Sequence, residues 1–236
     1  MMKLLNTLLI TLILFINITL KTNAQDWPEL NRFIEENAEV GLPKANEERV
    51  VFMGNSITEG WKTLLPEYFS NPNYINRGIG GQTTPQMLLR FRQDVIKLHP
   101  KVVVILAGTN DIAGNTGPST LEMIEDNLYS MAELAKLHNI EVVLCAVLPV
   151  YDYPWQTGLE PANKIIELNQ RIKKYAKMHG LVYADYFTPM ADERKGLKAI
   201  YTNDGVHPTH AGYEAMVPIA EEAIEKALML WKSNNK

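Results

Sequence analysis

The chain has 236 residues, 46% of them hydrophobic and 21% charged, which is enough apolar material for one well-cored domain and gives no sign of a disordered tail or a second module. Its formal net charge of −4, with Lys and Arg scattered among Asp and Glu, provides no basic footprint, so nucleic acid is disfavoured as a partner. With a single cysteine, Cys145, no disulfide can form within the chain, and its place in the apolar run VVLCAVLP reads as a small buried hydrophobe rather than a reactive thiol.

Residues 1–24 carry an early lysine, an apolar stretch broken by Asn and Thr, and then Thr22-Asn23-Ala24. This is the pattern of a secretory signal that is cleaved, with an uncleaved membrane anchor as the alternative. The expected domain is therefore 25–236, exported to the periplasm or the cell exterior, with no stable membrane insertion once the signal is removed. No cysteine follows the expected cleavage point, so a lipid-anchored cysteine is not available there. Within 25–48, LNRFIEENAEV suggests a helix crossing the outside of the fold.

From residue 50 onward, short apolar runs alternate with amphipathic segments, as in a parallel sheet covered by helices on both faces. The expected strands are 50–53, 73–76, 102–107, 141–148 and 181–184. VVVILA and VVLCAVL are apolar almost throughout and belong in the middle of the sheet, buried on both sides. The expected helices begin at Thr84-Pro85, with proline in the first turn, and near Ser119, where Glu122 completes a capping-box spacing. A third, EPANKIIELNQRIKKYAKMH, ends at Gly180, and the last is GYEAMVPIAEEAIEKALMLW. His99, His138 and His179 fall at helix C-termini, where histidine commonly faces the dipole.

Ligands of such folds bind beyond the carboxyl ends of the strands, which directs attention to the residues after each apolar run. After the first comes GNSITEG. Ser56 there is either a helix N-cap, with Glu59 at capping-box spacing, or a nucleophile. After the second, GIGG suits a tight turn, a phosphate cradle or a loop whose N–H groups face an oxyanion. After the third, Asn110 in GTND can cap a turn or offer a neutral donor to developing negative charge. In DGVHP, Asp204 precedes His207 by three residues, so the carboxylate can accept from the ring and leave the other ring nitrogen free to take a proton. A metal reading through His207, His210 and Asp204 is set aside, because no further ligand motif accompanies them. Tyr151, Tyr153 and Trp155, after the fourth run, either stack on a substrate or pack their loop onto the body.

Taken together, the blocks GNSIT, NRGIGGQTT, GTND and DGVHP resemble those of the SGNH hydrolase superfamily, the GDSL lipases and esterases, in their order across most of the chain past the signal. The resemblance implies a three-layer α/β/α, flavodoxin-like fold with a five-stranded parallel sheet. It implies Ser56 as nucleophile, His207 as base and Asp204 as its partner, with no metal and no cofactor. The oxyanion donors it implies are the Ser56 and Gly81 N–H groups and the Asn110 side chain. Asn55 stands where the family usually has Asp. The implied reaction is hydrolysis of a short acyl ester, acetyl above all, from a small molecule or a glycan. Phospholipid acetyl hydrolysis, acyl transfer and non-catalytic glycan binding are the alternatives. The oligomeric state is not legible.

Overall fold

The computed structural model describes residues 26–235; the expected signal segment lies outside them. Five strands, β1 (Val50–Gly54), β2 (Tyr74–Gly78), β3 (Val102–Leu106), β4 (Glu141–Cys145) and β5 (Val182–Ala184), form one sheet in the order β2-β1-β3-β4-β5. All neighbours are parallel. The near-continuous apolar runs do occupy the interior of the sheet, since β1, β3 and β4 are buried at every position, and the edge strand β5 shrinks to three residues.

The period-two alternation of each strand divides the core into two layers. Val51, Met53, Val103, Ile105, Val142 and Leu144 face one way and pack against α3 (Thr84–Asp94), α5 (Leu121–Leu137) and α6 (Pro161–Met178). Val50, Phe52, Val102, Val104, Val143 and Cys145 face the other way, against α2 (Ser56–Leu64) and α8 (His210–Asn234). The result is the expected three-layer α/β/α arrangement. Two short helices, α4 (Thr109–Ile112) and α7 (Phe187–Met190), fill loops, and α1 (Ile34–Val40) buries no residue of its own. The first four residues of the expected N-terminal helix, Leu30–Phe33, form a turn instead.

Cap residues differ from expectation in two places. Asn55 caps α2, accepting from the Ile57 N–H at 3.0 Å, so Ser56 is the first helical residue rather than the cap. Glu59 pairs with Arg32 across 3.5 Å instead of closing a capping box. On α5 the cap is Thr120, accepting from Met123 N–H at 3.1 Å, one residue beyond Ser119. The Asn side chain reaches its own second residue as readily as Ser reaches its third, so spacing alone does not choose between them.

The register aligns Gly54 with both Gly78 and Leu106. The first three strands thus end level, and the loops that follow them emerge side by side.

Candidate active site

Ser56 leaves the end of β1 at the first turn of α2, and His207 comes to it from the loop that precedes α8. The Ser56 Oγ lies 3.0 Å from His207 Nε2. His207 Nδ1 lies 2.7 Å from Asp204 Oδ2. With Nδ1–H donating to the carboxylate, Nε2 carries the lone pair and can accept the serine proton.

Asp204 is itself held. Its Oδ1 accepts from the Val206 and His207 backbone N–H groups at 2.9 and 2.8 Å and from Thr202 Oγ1 at 3.2 Å. Partial burial disfavours the charge on Asp204. The hydrogen bond from the His207 ring, those from the His207 and Val206 N–H groups, and the His207 charge outweigh burial and hold the carboxyl down at about 2. It is therefore an anion at any pH at which the protein works. Both Asp204 and His207 side chains are 40% exposed, so this chain of hydrogen bonds lies on an open surface.

The second and third loops stand beside the serine. A Cβ on Gly80 would sit 3.9 Å from Ser56 Cβ, which places the GIGG turn next to Ser56. Gly81 adopts φ +75°, a conformation in which glycine is favoured. Gly78 is required for a different reason: a Cβ there would fall 2.1 Å from the backbone nitrogen of Glu59, so β2 and α2 can approach this closely only without a side chain. Asn110 is buried on α4 and donates one amide hydrogen to the Gln82 carbonyl at 2.9 Å. Among the described residues its second amide hydrogen has no partner, which leaves it for another acceptor. Asp111, beside it, accepts from the Thr84 N–H and hydroxyl at 3.0 and 2.6 Å, which ties α4 to the start of α3. Burial pushes the Asp111 carboxyl up, and the Thr84 bonds oppose that.

The three aromatic candidates separate. Trp155 is half exposed, with its ring 6.1 Å from the His207 ring. Its Nε1–H donates to Asn115 Oδ1 at 3.2 Å, and Asn115 Nδ2 donates to the Gly81 carbonyl at 3.3 Å. Tyr151 is exposed but stacks under the Arg194 guanidinium at 4.9 Å. Tyr153 is corrected: it is wholly buried, its hydroxyl donating to the Thr109 carbonyl at 2.9 Å, and so packs the loop onto α4 rather than meeting a substrate. The chain turns between Tyr153 and Gln156, which form an antiparallel bridge, so residues 151, 153 and 155 do not share one face as they would in an extended segment. His210 turns away from Asp204 toward Glu214 and Glu67, at 3.4 and 3.8 Å. Among the described residues no group of three or more His, Cys, Asp or Glu side chains is placed to hold a metal ion.

Sequence reasoning missed Thr202, Asn115 and Gln82, and singled out Asn55 only as a departure from the family pattern, not as the cap of α2. Each is a polar residue in a quoted or neighbouring loop, and nothing in its spacing distinguishes it from a surface residue.

The GDSL-like lipase/acylhydrolase family model matches residues 52–215. A GDSL-like lipase from Bacteroides thetaiotaomicron, known from its crystal structure, is 49% identical, with a TM-score of 0.83 over 85% of this chain and 98% of that one. An uncharacterized lipoprotein of Bacillus subtilis is 35% identical over 44% of this chain and 50% of its own length. An acetylxylan esterase of Xylanibacter ruminicola is 26% identical over 79% of this chain and 45% of its own. The chain thus spans about half the length of these two curated relatives.

Proposed function

The chain belongs to the GDSL-like lipase/acylhydrolase family, and from that premise we propose that it is a serine carboxylic ester hydrolase that removes short acyl groups, acetyl first among them, from carbohydrate. The observation that carries the reading is the pair of hydrogen bonds linking Ser56 Oγ to His207 Nε2 at 3.0 Å and His207 Nδ1 to Asp204 at 2.7 Å. His207 takes the serine proton as Oγ attacks the ester carbonyl. The oxyanion is met by the Ser56 and Gly81 N–H groups and the second amide hydrogen of Asn110. The imidazolium, stabilised by the Asp204 anion, then protonates the leaving alcohol, and water repeats the sequence to release the acid. No metal or cofactor enters any step.

A carbohydrate alcohol is favoured by the shape of the site. An open triad lets a polymer lie across the surface while only its acyl group enters, and the half-exposed Trp155 beside His207 offers a face on which a sugar ring can stack. The acetylxylan esterase relative points the same way. The protein acts after export. Among the described residues no helix is long and apolar enough to cross a membrane.

Acetate release from acetylated polysaccharides, compared with the Ser56→Ala protein, tests the reading. Release that depends on Ser56 supports it, and a clear preference for acyl chains of eight carbons or more over acetate defeats the short-acyl assignment. Trp155→Ala should weaken action on the polysaccharide several-fold while leaving a small aryl acetate unaffected. Added acceptor sugar distinguishes transfer from hydrolysis by its acylated product.

A further inference from the structure

Beneath the oxyanion loop lies a buried polar network that the proposed mechanism does not use. Gln82 follows Gly81 directly and is 1% exposed. Its main-chain carbonyl is the acceptor that orients the Asn110 amide, at 2.9 Å. Its side chain is held from two sides: Arg90 Nε donates to Oε1 at 2.6 Å, and Nε2 donates to the Pro28 carbonyl at 2.9 Å.

Arg90 makes this grip rigid. It projects from α3, is fully buried, and donates through Nη2 to the carbonyls of Gly54 and Arg77 at 3.1 and 2.8 Å, at the carboxyl ends of β1 and β2. Asp94 balances its charge at 3.1 Å, and Asn37 donates to that carboxylate at 2.8 Å. One guanidinium therefore fixes the strand end that leads into Ser56, the strand end that leads into GIGG, and the residue after Gly81. A buried cation with its donors directed at fixed acceptors has few alternative arrangements, because any shift leaves a charge without partners.

The segment before α1 completes the clamp. Beyond the Gln82 bond to Pro28, Gln86 donates to the Trp27 carbonyl at 2.6 Å and Gln93 donates to the Leu30 carbonyl. Three glutamines thus hold the backbone of 27–30 against α3 and the loop that precedes it.

We infer that Gln82, gripped between Arg90 and the Pro28 carbonyl, is a positioning residue for the oxyanion hole, acting through the Asn110 amide that its main chain orients. The inference rests on Asn110 being an oxyanion donor. A donor tuned for a transition state loses effect when displaced by a fraction of an ångström, whereas substrate binding does not depend on it. Losing the grip should therefore lower kcat and spare KM.

The test is a double-mutant cycle on a short acetyl ester with Gln82→Met, Asn110→Ala and the double variant, each checked by thermal melting. Gln82→Met should reduce kcat about tenfold with KM within about twofold. In the Asn110→Ala background it should reduce kcat no further, because the group it positions is gone. Gln82→Glu, which keeps the acceptor for Arg90 but turns a carboxylate oxygen toward the Pro28 carbonyl, should recover only part of the loss. Should Gln82→Met not fold, Gln82→Asn, which shortens the reach from Arg90, enters the same cycle. Unchanged kcat in Gln82→Met, or losses that multiply in the double variant, overturns the inference while leaving Asn110 in place. Wild-type kcat in Asn110→Ala overturns the oxyanion assignment itself.

Discussion

Replacing Asp204 with Asn probes the proposed triad with minimal change in shape. The carboxylate Oδ2 receives the His207 Nδ1 hydrogen at 2.7 Å, while Oδ1 receives two backbone N–H groups and the Thr202 hydroxyl. In the variant the amide oxygen can keep the backbone bonds, which leaves the NH2 group facing Nδ1. That group only donates, so the ring proton moves to Nε2 and confronts the Ser56 hydroxyl with a donor where it needs an acceptor. The developing imidazolium also loses its counter-charge. In a triad of this kind such a change costs about 10⁴ in kcat. Here the pair is 40% exposed and the ring has room to turn, so the expected loss is about 10² to 10⁴, or roughly 3 to 5 kcal/mol of barrier. Initial rates on an aryl acetate near neutral pH measure it, with a melting curve to confirm an intact fold. A folded Asp204→Asn protein that keeps more than about a tenth of wild-type kcat refutes the tautomer argument.

Asp204 also makes a pH claim. Its carboxyl is depressed from 3.8 to about 2, so its stabilising contribution is complete above the ordinary value and is lost only as the pH falls through about 2. Mild acidification should therefore leave Asp204 ionised: the difference in melting temperature between the wild-type and Asp204→Asn proteins should stay constant from about pH 7 down to about pH 4, and a difference that already shrinks at about pH 5 contradicts this. Gly78→Ala places a methyl group 2.1 Å from the Glu59 nitrogen; backbone cannot yield there, and a cost of about 3 kcal/mol or more should lower the melting temperature by about 6 °C or more. Tyr153→Phe removes the partner of the Thr109 hydroxyl and carbonyl. It should cost about 1 to 2 kcal/mol in stability and leave KM unchanged, whereas a raised KM would return Tyr153 to the substrate. Burial pushes the Cys145 thiol up to about 12. A thiol reagent at pH 8 should therefore leave the native protein unlabelled and react fully after denaturation.

The strands and the loops that follow them were legible because burial on both faces demands long apolar runs, and parallel strands must end where their loops can meet. That Ser56, Asp204 and His207 meet could be read because their residue types are complementary and each follows such a run or closes the loop before α8. Caps were less legible, since Asn55 and Thr120 are chemically interchangeable with neighbouring Ser56 and Ser119 as helix starters. Tyr153 was misplaced because an aromatic loop residue looks the same in sequence whether its hydroxyl meets substrate or a carbonyl of α4. The clamp of Gln82, Arg90 and the 27–30 backbone lay beyond reach for a further reason. Two of its acceptors are strand-end carbonyls and a third belongs to Pro28, and backbone acceptors leave no mark in the sequence.

The central claim, that Ser56 is the nucleophile, is tested most directly by treating the protein with a serine-directed phosphonate and locating the adduct by peptide mass spectrometry. The expected result is one adduct per chain, on Ser56, with esterase activity falling in step with its formation and no adduct on the Ser56→Ala protein. An adduct elsewhere that tracks the loss of activity, or full activity in Ser56→Ala, contradicts it.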